Sequence, residues 1–211
     1  MANILIFGDS ITQGFWDIEG GWVSRLRKFL DEKFLQPDHP FYFSIFNLGI
    51  AGDTSQGLVK RFAVELKPRL DEEEEIILIF AIGINDSYYI NPENRFNVEL
   101  ENFKQNLITL LEQAKKYSKK IIFLGLTPID ETKTDPIPWS SMKSYKNEYV
   151  ESYNNALKDF CHKNTVEFID LLEKLNPETD LEDGLHPNSK GHQKIYEIVK
   201  KFLLDQKIIN V

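Results

Sequence analysis

The sequence predicts a parallel α/β fold: a five-stranded sheet covered by helices on both faces, an αβα sandwich of three layers. Two observations predict it. Short apolar runs rich in β-branched and aromatic residues alternate five times with longer segments whose apolar residues recur at helical spacing. Three of the runs, Ile4 to Phe7, Ile76 to Ile82 and Ile121 to Leu124, are apolar at every position, as strands buried on both faces are, instead of alternating with polar residues. A third observation concerns domain count. Across 211 residues there is no internal repeat, low-complexity linker or shift of composition, so one domain over 1–211 is expected.

The first strand, Ile4-Leu5-Ile6-Phe7, stops at Gly8, and Asp9-Ser10 follow where the backbone must turn. Ile11-Thr12-Gln13-Gly14 then reads as a turn-prone segment. Trp22, Leu26, Phe29, Leu30 and Phe34 mark the first amphipathic helix, which Pro37 and Pro40 close. Residues 41–48 give the second strand, and Gly49-Ile50-Ala51-Gly52-Asp53-Thr54 the loop beyond it, with Asp53 and Thr54 as caps. Leu58, Val59, Phe62 and Leu66 define the second helix, ended near Pro68. The third strand is the most apolar, Ile76 to Ile82, and its loop carries Asn85, Asp86, Tyr88 and Tyr89. Leu100, Phe103, Leu107, Leu110, Leu111 and Ala114 form the third helix, and Ile121 to Leu124 the fourth strand. Pro128 to Ser140 is a loop of the length found in lids and binding sites. Tyr145, Tyr149, Tyr153, Ala156, Leu157 and Phe160 indicate the fourth helix, Val166 to Ile169 the fifth strand. Ile195, Val199, Phe202 and Leu203 indicate the last helix. The expected strand order is 2-1-3-4-5, as in flavodoxin-like sheets.

Composition excludes several functions. Twenty-five basic and 33 acidic residues leave a net charge of −8, unsuited to nucleic acid or anionic membrane surfaces. No run approaches the roughly 18 apolar residues of a membrane span. An export signal's basic, apolar and small-residue pattern is not present at the N-terminus, so a cytoplasmic location is expected. The acidic run Asp71 to Glu75 reads as a solvated lead-in to a strand. The four histidines (39, 162, 186, 192) have no zinc-site spacing, and no metal or cofactor is expected. Cys161 falls in an apolar helical stripe and reads as core. His192, inside the last helix, reads as structural or solvated.

Four strand ends deliver polar residues to one rim of the sheet: Gly8-Asp9-Ser10, then Asn47 to Gly52, then Gly83-Ile84-Asn85-Asp86, and finally Asp183-Gly184-Leu185-His186. Acyl transfer needs those parts, namely a hydroxyl, a base, an acid to orient the base, and donors for an oxyanion. A serine hydroxyl becomes a nucleophile when a base such as His186 takes its proton. Asp183, three residues upstream, reaches the same imidazole from one short turn and selects its tautomer. Gly49 supplies a backbone N–H and Asn85 a side-chain amide, which with the Ser10 N–H suit a developing oxyanion. Asp9 and Asp86 read as residues that brace their loops. Trp16, Tyr88 and Trp139, with Phe15 and Tyr89, lie in loops near this rim and suit the walls of an apolar or sugar-stacking pocket.

These blocks make the chain resemble the SGNH hydrolases, or GDSL-type esterases and lipases. The family's four blocks are matched by Ser10, Gly49, Asn85 and the Asp183/His186 pair, in order, over residues 8–187. Ile11 replaces the usual Leu after the serine. The resemblance implies a metal-independent serine esterase acting on a small-molecule ester through an acyl-enzyme. It leaves open a thioesterase, a lysophospholipase or a carbohydrate deacetylase, and it does not give the oligomeric state. A non-catalytic flavodoxin-like binding module is the alternative outside enzymes; it has no need of a serine, a histidine and an acid at three strand ends. A phospho-aspartyl enzyme using Asp9 lacks the second acid, since position 11 is Ile, and no P-loop pattern is present.

Overall fold

Five parallel strands form the centre of the computed structural model, which describes residues 1–36, 42–71 and 73–210. They are β1 (Ala2–Gly8), β2 (Phe43–Gly49), β3 (Glu75–Ala81), β4 (Lys120–Leu124) and β5 (Glu167–Ile169), in the order β2-β1-β3-β4-β5. The expected order 2-1-3-4-5 is the one found. Ile4 to Phe7 and Ile77 to Phe80 are fully buried, as apolar runs in a doubly covered sheet must be. Five long helices cover the sheet: α1 (Gly21–Phe34), α2 (Ser55–Leu66), α3 (Leu100–Ala114), α4 (Asn147–Asn164) and α5 (Ser189–Asp205). α1 packs beside α5 on one face, and α2, α3 and α4 lie side by side on the other. The helices turn most of their predicted stripes inward; in α3, for example, Phe103, Leu107, Leu110, Leu111 and Ala114 are buried, whereas Phe34 at the end of α1 is exposed. Cys161 is buried in this core. No helix among the described residues is long and apolar enough to cross a membrane.

Register places the functional loops. Gly8 pairs with Gly49 of β2 on one side and with Ala81 of β3 on the other. Three strands thus end level, and the loops after them rise from one rim. The chain runs from β1 to β2 on one side and from β3 to β4 on the other, so the loops after β1 and β3 diverge and the order reverses between them, the usual ligand crevice of an open α/β sheet.

Several local expectations are revised. Ser10–Gln13 is a short helix rather than a turn, started by Asp9, whose Oδ1 accepts the Ile11 N–H at 3.0 Å. Thr54 caps α2 by accepting the Gly57 N–H, and Asn188 caps α5 in the same way through Gly191. Asp53 caps nothing; it accepts the Thr54 N–H at 2.9 Å and pairs with Arg61 Nε at 2.7 Å. Tyr145 precedes α4 instead of belonging to it. A second, three-stranded antiparallel sheet joins Arg95–Phe96, Tyr89–Ile90 and Lys143–Ser144. Pro37, His39, Pro40, Phe41 and Glu72, named above as helix stop, histidine, strand start and part of the acidic run, lie outside the described residues.

Candidate active site

Ser10 stands on the first turn after β1, 5% exposed, with its Oγ 2.9 Å from His186 Nε2. His186 Nδ1 lies 2.7 Å from Asp183 Oδ2. The tautomer follows from this: with a carboxylate at Nδ1, the proton sits there, and Nε2 is left to accept from the Ser10 hydroxyl. The Asp183–His186 turn is braced from within, since Asp183 Oδ1 accepts the N–H groups of Leu185 at 3.0 Å and His186 at 2.8 Å. Burial alone raises a carboxyl. At Asp183 the hydrogen bonds from the His186 side chain and backbone outweigh it and hold the group far below the usual carboxylate range. It is ionised at any working pH, ready to stabilise an imidazolium.

Trp16 gives Asp183 a fourth donor, its Nε1–H reaching Oδ2 at 2.7 Å. Trp16 adopts φ 64°, the left-handed region that a bulky residue seldom occupies, and the contact with Asp183 accompanies that strain. His192, buried in α5, supports the same loop: its Nε2–H donates to the Phe15 carbonyl at 2.9 Å. That bond makes Nδ1 the acceptor and leaves it unpaired, and burial holds this imidazole toward its neutral form. The structural reading of His192 stands.

Asn85, 7% exposed, follows β3. Its Oδ1 accepts from the Tyr145 hydroxyl at 3.0 Å and its Nδ2 donates to the Asp53 carbonyl at 3.0 Å. Those two partners fix the amide's orientation and leave one N–H of Nδ2 uncommitted. Asp86 braces the loop as expected, taking the Ser55 N–H at about 3 Å on both oxygens and the Ser55 hydroxyl on Oδ1. Burial, offset in part by those bonds, raises its carboxyl to about 6. Asp9 is raised further, to about 7, by burial against the opposing Ile11 N–H bond and the nearby imidazole.

The glycine assignment is corrected. The Gly49 N–H is occupied by Asn47 Oδ1 at 3.0 Å, and a Cβ on Gly49 would lie 2.4 Å from Gln13 N and 2.8 Å from Asp9 O. Gly49 is a close-packing residue beneath the Ser10 helix and does not line the cavity. Gly52 does; it has φ 75° and open space around its Cα, and its N–H has no partner among the described residues. Gly49 ends β2 and Gly52 stands three residues on, in the loop before α2.

These groups open on a cavity of about 360 Å³ at the carboxyl ends of β1 and β3. Ser10, Asp183, His186, Asn85, Trp16, Tyr88 and Trp139 are all brought to it. Trp139 stacks on the His186 ring at 6.0 Å and Trp16 meets it edge-on at 6.2 Å. Tyr89 is elsewhere, packed on Phe96 and Tyr149. Tyr145, Lys143 and Ile137 also line the wall and were not anticipated; they arrive through the small second sheet and the loop after β4, while Leu185 comes from the Asp183–His186 turn itself. Among the described residues no group of three or more His, Cys, Asp or Glu is placed to hold a metal ion.

The comparisons agree with this architecture. The profile of the GDSL-like lipase/acylhydrolase family matches residues 6–194. A GDSL esterase/lipase of Arabidopsis thaliana is 24% identical over 95% of this chain, which spans 64% of that protein's length. An uncharacterized lipoprotein of Bacillus subtilis is 25% identical over 92% of this chain and 86% of its own. Among solved structures, a lipase/acylhydrolase from Enterococcus faecalis superposes with TM-score 0.74 at 23% identity, covering 98% of this chain and 97% of that one. The acetylxylan esterase Axe2 of Geobacillus stearothermophilus does so with TM-score 0.72 at 20% identity, over 95% and 93%. With its strand order, its Ser10–His186–Asp183 geometry and a family match over almost its whole length, the chain belongs to the GDSL-like lipase/acylhydrolase family.

Proposed function

We propose that this protein hydrolyses small carboxylic esters through a covalent acyl-enzyme on Ser10. The observation that carries the reading is the unbroken chain Ser10 Oγ, His186 Nε2, His186 Nδ1, Asp183 Oδ2, with links of 2.9 and 2.7 Å, opening on a cavity. Ser10 Oγ attacks the ester carbonyl carbon while its proton passes to His186 Nε2. The imidazolium formed is stabilised by Asp183. The carbonyl oxygen becomes an oxyanion facing the Ser10 and Gly52 N–H groups and the free N–H of Asn85. Collapse of the intermediate breaks the bond to the alkoxy oxygen, which leaves as the alcohol with the proton returned by His186. Water then repeats the sequence on the acyl-enzyme, releasing the acid and restoring Ser10. No metal takes part in this scheme.

The cavity's size and aromatic walls favour short acyl groups, with Trp16 and Trp139, each about half exposed, available to stack on a leaving group. Likeness to an acetylxylan esterase makes acetylated sugars a second substrate class to survey, beside thioesters and lysophospholipids. A fluorophosphonate should label Ser10 covalently and remove activity toward p-nitrophenyl acetate in proportion. Ser10→Ala should abolish both while keeping the circular dichroism spectrum. Labelling of another serine, or turnover surviving in the variant, refutes the reading.

A further inference from the structure

One acidic and one basic side chain line the cavity, Asp183 and Lys143. They differ in one respect. Asp183 is saturated by the His186 ring, the Trp16 indole and two backbone N–H groups. The Lys143 ammonium makes no ion pair or hydrogen bond among the described residues; it rests 4.7 Å from the centroid of the Tyr88 ring, itself a cavity wall. A ring face holds a cation in place without using up its three donors. The other lysines of the same loop are neutralised: Lys133 by Asp130 at 2.9 Å and Lys146 by Asp135 at 3.2 Å. Of the three, the one that faces the cavity is the one left without a carboxylate.

Lys143 is also well anchored. Its carbonyl accepts the Ile137 N–H at 2.9 Å, and its strand pairs with Ile90 beside Tyr88. An ordinary surface lysine extends its ammonium into water; this one is laid across an aromatic wall of the cavity that also holds Ser10. From this we propose that Lys143 is a specificity-determining residue that binds an anionic group, carboxylate or phosphate, on the ester, so that short esters bearing a negative charge are the preferred substrates. The proposal rests on Ser10 being the nucleophile. The charge belongs either to the acyl part or to the alcohol part, and matched substrates separate the two.

The test measures kcat/KM in low-salt buffer for two pairs. Mono-p-nitrophenyl succinate against p-nitrophenyl pentanoate puts the charge on the acyl group; acetylglycerol phosphate against acetylglycerol puts it on the alcohol. In at least one pair the anionic member should be preferred about tenfold, the worth of one charge-assisted contact at a partly exposed site. Lys143→Met, which keeps most of the stem over Tyr88, should lower that anionic-to-neutral ratio about tenfold, mostly through KM. Lys143→Arg should restore most of it. Salt near 1 M, where screening acts within ~3 Å, should shrink the wild-type ratio. Because each variant is measured on both members of a pair, a general loss of folding cancels. Equal rates within both pairs, or a ratio that Lys143→Met leaves alone, overturns the proposal while Ser10-dependent hydrolysis stands. Absence of Ser10-dependent turnover on all four esters overturns the hydrolase reading with it.

Discussion

Replacing Asn85 by alanine, alone and together with Tyr145→Phe, separates an oxyanion donor from a loop brace. Asn85 has one amide N–H bonded to Asp53 O and its Oδ1 bonded to the Tyr145 hydroxyl, so a single N–H remains for the reaction. Removing one such donor costs about 10²–10³ in kcat, or roughly 2.7–4 kcal/mol. The loss should fall on kcat with KM little changed, because a neutral carbonyl gains little from the donor and an oxyanion gains much. Tyr145→Phe deletes only the hydroxyl; the ring keeps its packing on Tyr88 at 5.5 Å. The amide then loses one of two anchors, worth about 0.5–1.5 kcal/mol, and kcat should fall roughly two- to tenfold. Since that effect travels through Asn85, it should nearly vanish in the Asn85→Ala background, giving a coupling close to the whole Tyr145 effect. Steady-state kinetics on p-nitrophenyl acetate, at a temperature where all four proteins are folded, supply the cycle. Additive losses would refute the positioning argument. A rise in KM with unchanged kcat in Asn85→Ala would remove Asn85 from the oxyanion site.

Three further outcomes are expected. Trp16→Phe removes one of four donors on a largely satisfied carboxylate, so kcat should drop only a fewfold, by about 1 kcal/mol or less; a loss as large as that of His186→Ala would mean that Trp16 does more than brace Asp183. Gly49→Ala drives a Cβ into the backbone under Ser10 and should lower the melting temperature far more than Gly52→Ala, which meets no atom and costs about 1–2 kcal/mol for its positive φ; equal melting temperatures would contradict the packing described. Asp9 has a folded-state value near 7, above its ordinary 3.8, so the folded protein holds a proton that the unfolded chain has released between those values. Its contribution to stability is full below about pH 4 and is lost as pH rises toward 7. Asp9→Asn keeps an oxygen for the Ile11 N–H and cannot titrate, so its melting temperature should fall less than the wild type's between about pH 5 and pH 8; parallel curves would refute the burial argument.

The sheet was legible because burial on both faces leaves a mark that needs no context. Ile4 to Phe7 and Ile76 to Ile82 are apolar without a break and each run stops at a glycine, the pattern of a covered strand. Elements too short for a period left no such mark. Tyr89–Ile90, Arg95–Phe96 and Lys143–Ser144 are two residues each, and their pairing depends on loops meeting across the molecule. Tyr145 was drawn into the fourth helix because 145, 149 and 153 continue a four-residue spacing. In the fold its N–H is bonded to the Thr134 carbonyl, Lys146 is extended, and the helix starts only at Asn147. Periodicity reported the shared buried face correctly and the backbone conformation wrongly.

The site divides along the same line. Ser10 and Asn85 could be picked out because each is a distinct chemical type just after a strand, where parallel sheets present ligands, and the Asp183/His186 pair because an acid and an imidazole share one short turn before the last helix. Glycine carries no such signature. Within Asn47 to Gly52 either glycine could supply an N–H, and what separates them is occupancy: Asn47 folds back on the first, while the second has no partner among the described residues. Trp16 was visible as an aromatic near the rim, yet its bond to Asp183 needs a left-handed turn and the support of His192 from the far end of the chain. The groups proposed to do the chemistry are thus marked by their type, and the groups that hold them by partners the fold alone brings together. Lys143 falls in the second class. In the sequence it is one cation among 25, and only the fold sets it on Tyr88 without a counter-ion while its neighbours on the loop are paired. Substrate choice in this fold is therefore to be sought in the loops after β3 and β4, which the small antiparallel sheet ties together, rather than in the blocks that mark the family.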